Sequence, residues 1–194
     1  MLASAVAAVL ARDLGTLRRE IEAYPDDRLI WRTVPGITNT AGTLALHLAG
    51  NVQHFVGATL GRSGYRRDRQ AEFARRDVPR AELLREVSAA ETALDALHRL
   101  SETQLRGDYP EIVGGSRVAA GEFLVHLVAH FTYHLGQIDY HRRVVTGQAT
   151  PVGAVQTAGL TSADWKVRKG SGGWTFETVP MSTLGGKVAL VGEV

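Results

Sequence analysis

The chain has 194 residues, 44% hydrophobic and 22% charged, with 22 basic against 20 acidic side chains and a formal net charge of +2. That length suits one domain, or one domain with an appendage, and is ample for a buried core. No apolar run approaches the eighteen or so residues a membrane span needs, which argues for a soluble protein without a membrane partner. The arginines are interleaved with acids, so no basic face for nucleic acid stands out. Cysteine is absent, which excludes disulfides, thiolate ligands and a cysteine nucleophile. Thiol chemistry would have to draw its thiol from solution.

The opening MLASAVAAVLARD has the small and apolar residues of a signal peptide, but no basic residue precedes the run. Its spacing suits a helix better, and a cytoplasmic protein is expected. Leu2, Val6, Val9, Leu10, Leu14, Leu17 and Ile21 step by three or four, while Arg12, Asp13, Arg18, Arg19 and Glu22 mostly fill the other face. This first helix should end before Pro25. The following link carries the turn signal Pro35-Gly36, then Asn39 or Thr40 as an N-cap. Trp31 and Ile37 are expected to pack on the helices.

A second helix is expected from Ala41 to about Leu60, with Leu44, His47, Leu48, Asn51, His54 and Phe55 at helical steps. His47 falls on the inward face. The charged connection YRRDRQAEFARRDVPRAE leads to a third helix from about Pro79 to Leu100, with Leu83, Leu84, Val87, Ala90, Leu94 and Leu97 inward. Gly107 to Ser116 reads as a loop, with Ser116 as the cap of a fourth helix that stops at Gly147. Four long amphipathic helices imply an all-α four-helix bundle over residues 1–150. Residues 151–194 change character: they are rich in Gly, Thr and Val, show no helical period, and contain strand-like runs at Trp174 to Val179 and Lys187 to Val191. A β-hairpin and a loosely ordered tail are the structural alternatives for this C-terminal extension, and a tail unrelated to function is a third reading.

The fourth helix carries histidines at 126, 130, 134 and 141. At about 100° per residue, steps of four put His126, His130 and His134 on one stripe, with His141 close to it. Two histidines four apart can converge on one ion at about 2.0–2.1 Å. The spacing alone leaves 126/130 and 130/134 as alternative pairs, and His47 on a facing helix can supply a third ligand. Three imidazoles with an open position are the catalytic type of site, and zinc, nickel, manganese and iron all accept imidazole. The plainer alternative is that such histidines are hydrogen-bonded core residues.

GTLALHLAGNVQHFVGATLG, then YRRDRQAEF, and above all the His-x-x-x-His-x-Gly-Gln run in FLVHLVAHFTYHLGQIDYHRRVVTG resemble the DinB/YfiT-like metal-binding bundle family, in an uncharacterised bacterial branch. The resemblance covers roughly residues 1 to 150. It implies an up-down-down-up bundle and a divalent ion held by His47, His130 and His134. It further implies a metal-dependent enzyme, a thiol-dependent S-transferase or isomerase, or a hydrolase, in which the ion activates a bound low-molecular-weight thiol or water for attack on a small-molecule substrate. Homodimers are common among proteins similar to this one. The alternative is a non-catalytic metal- or small-ligand-binding stress-response module.

The remaining polar residues are assigned around that set. His54, two turns beyond His47, is the one catalytic candidate, as an acid–base group; contact with water at the bundle end is the preferred alternative. His126 is expected in the core or behind a ligand, and His98 and His141 as structural or exposed residues. Gln137 and Asn51 could orient a ring N–H or a water. Arg66, Arg67 and Arg69 are candidates for holding a substrate carboxylate, although a solvated loop is the simpler reading of that connection.

Overall fold

The computed structural model describes residues 2–157, 160, 165–170 and 173–178. The chain divides into two units, residues 1–156 and 157–194.

The first unit is all-α. Its long helices are α1 (Leu2–Glu22), α3 (Ala41–Val52, continued as a wider π-helical segment Gln53–Leu60), α5 (Arg80–Ala93, tightening to a 3₁₀ turn over Leu94–Arg99) and α7 (Ala120–Thr146). Short helices α2 (Asp27–Ile30), α4 (Arg69–Ala74) and α6 (Glu102–Arg106) sit in the three connections. Most of the expected stripe of α1 is buried: Val6, Leu10, Leu14, Leu17 and Ile21 join Leu44, Leu48, Val56, Leu83, Val87, Leu97, Leu124 and Phe131 in one core, whereas Leu2 is exposed and Val9 half-buried.

Contacts along the helices set their directions. Gly121 lies against Leu2, Thr132 donates to Asp13, and Arg142 pairs with Glu20, so α1 and α7 run parallel. Arg18 reaches Glu91 while Arg80 bonds the carbonyl of Glu22, so α5 runs against α1. Gln53 meets Glu86 and Gly57 meets Ala93, so α3 is parallel to α5. His47 meets His130 and Phe55 meets Phe123, so α3 is antiparallel to α7. The order is up-down-down-up, as the family resemblance implied.

Local expectations fared unevenly. Thr40 caps α3 by accepting from the Thr43 amide, and Gly147 ends α7 at φ +69°, a left-handed conformation that costs glycine little. Ser116 caps nothing: it pairs with Val113 in a tight turn, and α7 begins after Ala119 without a side-chain cap. Trp31 is buried and donates its indole N–H to the Val78 carbonyl, whereas Ile37 is exposed. Asp13, placed outward by periodicity, is fully buried with Thr16 and Glu20. These residues form a polar seam between α1 and α7, where Asp13 accepts from Arg12 (2.8 Å) and Thr132 (2.9 Å). One to two turns on, Arg142 bonds Glu20 (2.5 Å), Asp139 (3.1 Å) and the Thr150 carbonyl (3.1 Å). Burial raises the Glu20 carboxyl above its ordinary pKa, and the Arg142 contact only partly offsets that.

The second unit has one antiparallel hairpin, β1 (Trp165–Gly170) with β2 (Gly173–Thr178), in a register that pairs Trp165 with Thr178 and Gly170 with Gly173. β2 overlaps the first expected strand run. β1 was not foreseen, and Lys187 to Val191 lies outside the described residues.

His141 fastens the first connection. Its Nε2 donates to the Arg32 carbonyl (2.8 Å) and its Nδ1 accepts from the Tyr24 hydroxyl (2.8 Å), so the buried ring is neutral. Burial lowers its pKa from the ordinary value. The unfolded chain therefore binds this proton first, and stability falls as pH drops below about 6.5, by at most about 1.4 kcal/mol per pH unit for one proton. His141→Gln, which can keep one bond without titrating, is expected to flatten that slope in urea midpoints measured between pH 7 and pH 5.

Candidate metal centre

His47, His130 and His134 each turn one possible ligand atom toward a common point, and these atoms all lie within 4.8 Å of one another. The His47 and His130 Nε2 atoms are 3.2 Å apart. Two nitrogens on a tetrahedral ion at about 2.05 Å would be about 3.3 Å apart, so the gap fits a shared ion. Ring centroids of His47 stand 5.1 Å from His130 and 5.4 Å from His134, both nearly edge-on. Of the two spacing alternatives on α7, the structure joins 130/134 to His47. His126 is exposed, stacked on Phe123 at 5.9 Å, and belongs neither to the core nor to the cluster. It was expected inside because the stripe was drawn on an ideal helix; one turn earlier, that stripe has already left the α3–α7 contact.

The rings are oriented from behind. His134 Nδ1 meets Gln137 Oε1 at 2.7 Å, and an amide oxygen only accepts, so His134 carries its proton on Nδ1 and keeps an Nε2 lone pair. His47 Nδ1 meets Glu72 Oε2 at 3.0 Å and Arg67 Nη2 at 3.2 Å. The two cannot both be hydrogen bonds to one nitrogen. Arg67 already binds Glu72 through Nε (2.7 Å) and Nη2 (2.8 Å), so the ring proton goes to the carboxylate and the arginine contact is mere proximity. His47 thus also presents a bare Nε2. Burial would raise the Glu72 carboxyl, but the Arg67 and His47 bonds outweigh it and hold its pKa below the usual value. Burial, then the charges of His134, His47, His126 and Arg67, push the His130 pKa down to about 4. In these tautomers each ring can turn a lone pair toward the common point.

Glu72 was not foreseen. It comes from α4, whose N-terminus is capped by Asp68 accepting from the Ala71 amide (2.9 Å). The signal, a capping Asp four residues before a Glu in a short segment that also sets the half-buried Phe73 against His47 (4.9 Å between rings), was present but hidden by the surrounding charges. Asn51 is buried, and among the described residues it makes no hydrogen bond to a ring of the cluster. His98 is exposed.

His54 stands apart from the three. Helical spacing that would stack it over His47 ends where α3 widens at Gln53. Its Nε2 lies 3.1 Å from Glu111 Oε2, while Thr59 donates to the other oxygen at 2.5 Å. Rings of Phe55, Phe123 and His126 line the way from His54 to His130.

Close approach of α4 depends on Gly50. A Cβ there would lie 2.2 Å from Glu72 Oε1 and 3.3 Å from the Tyr65 hydroxyl. The carboxylate would swing away and surrender its bonds to His47 and Arg67. Gly50→Ala is expected to cost about 1–3 kcal/mol in urea unfolding and to abolish the NMR signal of the His47 Nδ1 proton; a retained signal would show that Glu72 does not depend on the glycine.

No curated protein and no solved structure matches the chain. A family model described as mycothiol-S-transferase matches residues 5–147, which takes in nearly the whole bundle, all three histidines, and Arg67 and Glu72. The chain therefore belongs to the mycothiol-S-transferase family, a DinB/YfiT-like family.

Proposed function

We propose that this protein is a metal-dependent S-transferase that joins a low-molecular-weight thiol, of the mycothiol type, to a small electrophile. The observation that carries the reading is the convergence of three imidazoles, two of them with the far nitrogen tied by Glu72 and Gln137. That donor set suits zinc, nickel, manganese or iron, and a three-protein-ligand site leaves a position open. Bound there, a divalent ion would act as a Lewis acid that lowers the pKa of a thiol. The protein's share is orientation: Glu72 fixes the His47 tautomer and strengthens it as a donor, and Gln137 does the same for His134. Phe73, beside His47, and the wall of Phe55 and Phe123 give an apolar substrate body something to pack on. The family supplies the thiol class, and a chain without cysteine must take its thiol as a substrate.

We place His54 outside the ion's reach, as a rim residue paired with Glu111. Elemental analysis of untagged protein is expected to find about one divalent ion per chain, lost in His130→Ala at matched circular dichroism. His54→Gln should leave the metal content unchanged, while Glu72→Gln should weaken metal affinity about 10–100-fold. Protein that neither carries nor takes up zinc, nickel or manganese would reduce the cluster to core packing. Metal without thiol-dependent consumption of an electrophile would favour a binding module.

A further inference from the structure

Arg67 was expected in a solvated loop, yet its side chain is nine-tenths buried. It enters the centre from the connection ahead of α4, lays its guanidinium 5.5 Å over the Phe55 ring, and grips Glu72 through Nε and Nη2. A guanidinium has five N–H donors. Two are spent on Glu72; among the described residues the others meet no acceptor, since the nearby His47 Nδ1 carries its own proton. They are not sealed from water, since among the described residues the buried side-chain nitrogen without a partner is Arg80 Nε, so an anion from solution can reach them. Unspent donors thus stand next to the ring of His47, one of the three clustered histidines.

Charge points the same way. Glu72 cancels Arg67, and three neutral imidazoles bring no charge, so a divalent ion would leave the centre at +2. A thiolate removes one charge. A second anionic group would remove the other, and the free edge of a guanidinium matches a carboxylate in shape as well as sign. The Phe55 face under Arg67 holds the fork flat and keeps water off one side.

We propose that Arg67 is an anion subsite of this centre, binding a carboxylate on the co-substrate next to the thiolate and so selecting carboxylate-bearing electrophiles. This rests on the metal reading above. The exposed Arg69, stacked on the outer side of Phe73 at 5.0 Å, is the neighbouring cation that serves as control.

The test uses cobalt(II)-substituted full-length protein, titrated with 3-mercaptopropionate and 4-mercaptobutanoate and with the matching mercapto-alcohols, and reads thiolate-to-cobalt charge-transfer absorption. At least one acid should bind about 10–100-fold more tightly than its alcohol, as hydrogen bonds to a charged group allow. The preference should vanish in Arg67→Gln and persist in Arg69→Gln. If Arg67→Gln no longer holds cobalt, Arg67→Lys should hold it with a reduced preference. Equal affinities in the wild type overturn the proposal, as does a preference that survives in both Arg67 variants, because the carboxylate would then sit on the ion. A wild-type protein that gives no cobalt spectrum overturns the metal reading itself, a separate result.

Discussion

The constraint on which the centre depends is that α3 and α5 run parallel. Antiparallel neighbours can be joined by a short turn, but a parallel pair forces the chain to travel back the length of a helix before starting the next one. For α3, twenty residues at about 1.5 Å each, the return is about 30 Å, and residues 61–79 make it along the outside of α3. That path carries Arg67, Glu72 and Phe73 past His47. A bundle of simple up-down-up-down hairpins would have had no reason to lay a charged segment there, and the histidines would have faced water unsupported. Gly50 lets the crossover settle against α3, and Asp68 aims the short α4 so that Glu72 points inward.

The bundle holds two buried polar systems, and they differ in what they leave unspent. Between α1 and α7, Asp13, Glu20, Asp139 and Arg142 pair mostly with one another and with fixed backbone and hydroxyl groups. Breaking one member of such a pair typically costs about 3–5 kcal/mol, whereas replacing the whole set by apolar side chains can cost nothing. Its credible effect is on register: two parallel helices with apolar stripes can slide by a turn, and the bonds from Arg142 to Glu20 and from Thr132 to Asp13 form together in one alignment only. Between α3 and α7 the polar groups are turned to a common point and left with lone pairs and free N–H groups. Among the described residues the first system leaves only Glu20 Oε1 buried without a partner, whereas the second turns several lone pairs and N–H groups to one place.

Much of this was legible in the residues. Hydrophobic stepping located all four long helices, because a core stripe dominates local preference, and the His47, His130 and His134 set was named from facing helices and a family motif. What failed did so where a longer-range contact decided the outcome. Asp13 has the look of a surface residue until Thr132 on a parallel neighbour is there to satisfy it. Ser116 resembles a cap, but the turn with Val113 uses it first. His54 keeps step with His47 only if α3 stays α-helical, and the π segment, packed through Gly57 and Gly61 against Ala93 and Ala96, breaks the count. Arg67 and Glu72 could not be separated from the charged residues around them, since burial of a loop is fixed by topology rather than by composition.

The three rings are not equivalent, and their differences follow from what stands behind each. His47 donates to a carboxylate, which pushes electron density into the ring and makes Nε2 the strongest donor; His134 donates to a neutral amide, a weaker version of the same effect. His130 has no such partner among the described residues, and burial is the first cause that holds its pKa down. An ion held by one strong, one intermediate and one weak imidazole keeps more of its acidity than one saturated by three carboxylate-backed rings. The same Arg67 that neutralises Glu72 limits how much density reaches His47. Tight holding and strong Lewis acidity pull in opposite directions, and for an ion bound here the single carboxylate shared between an arginine and a histidine would set the balance between them.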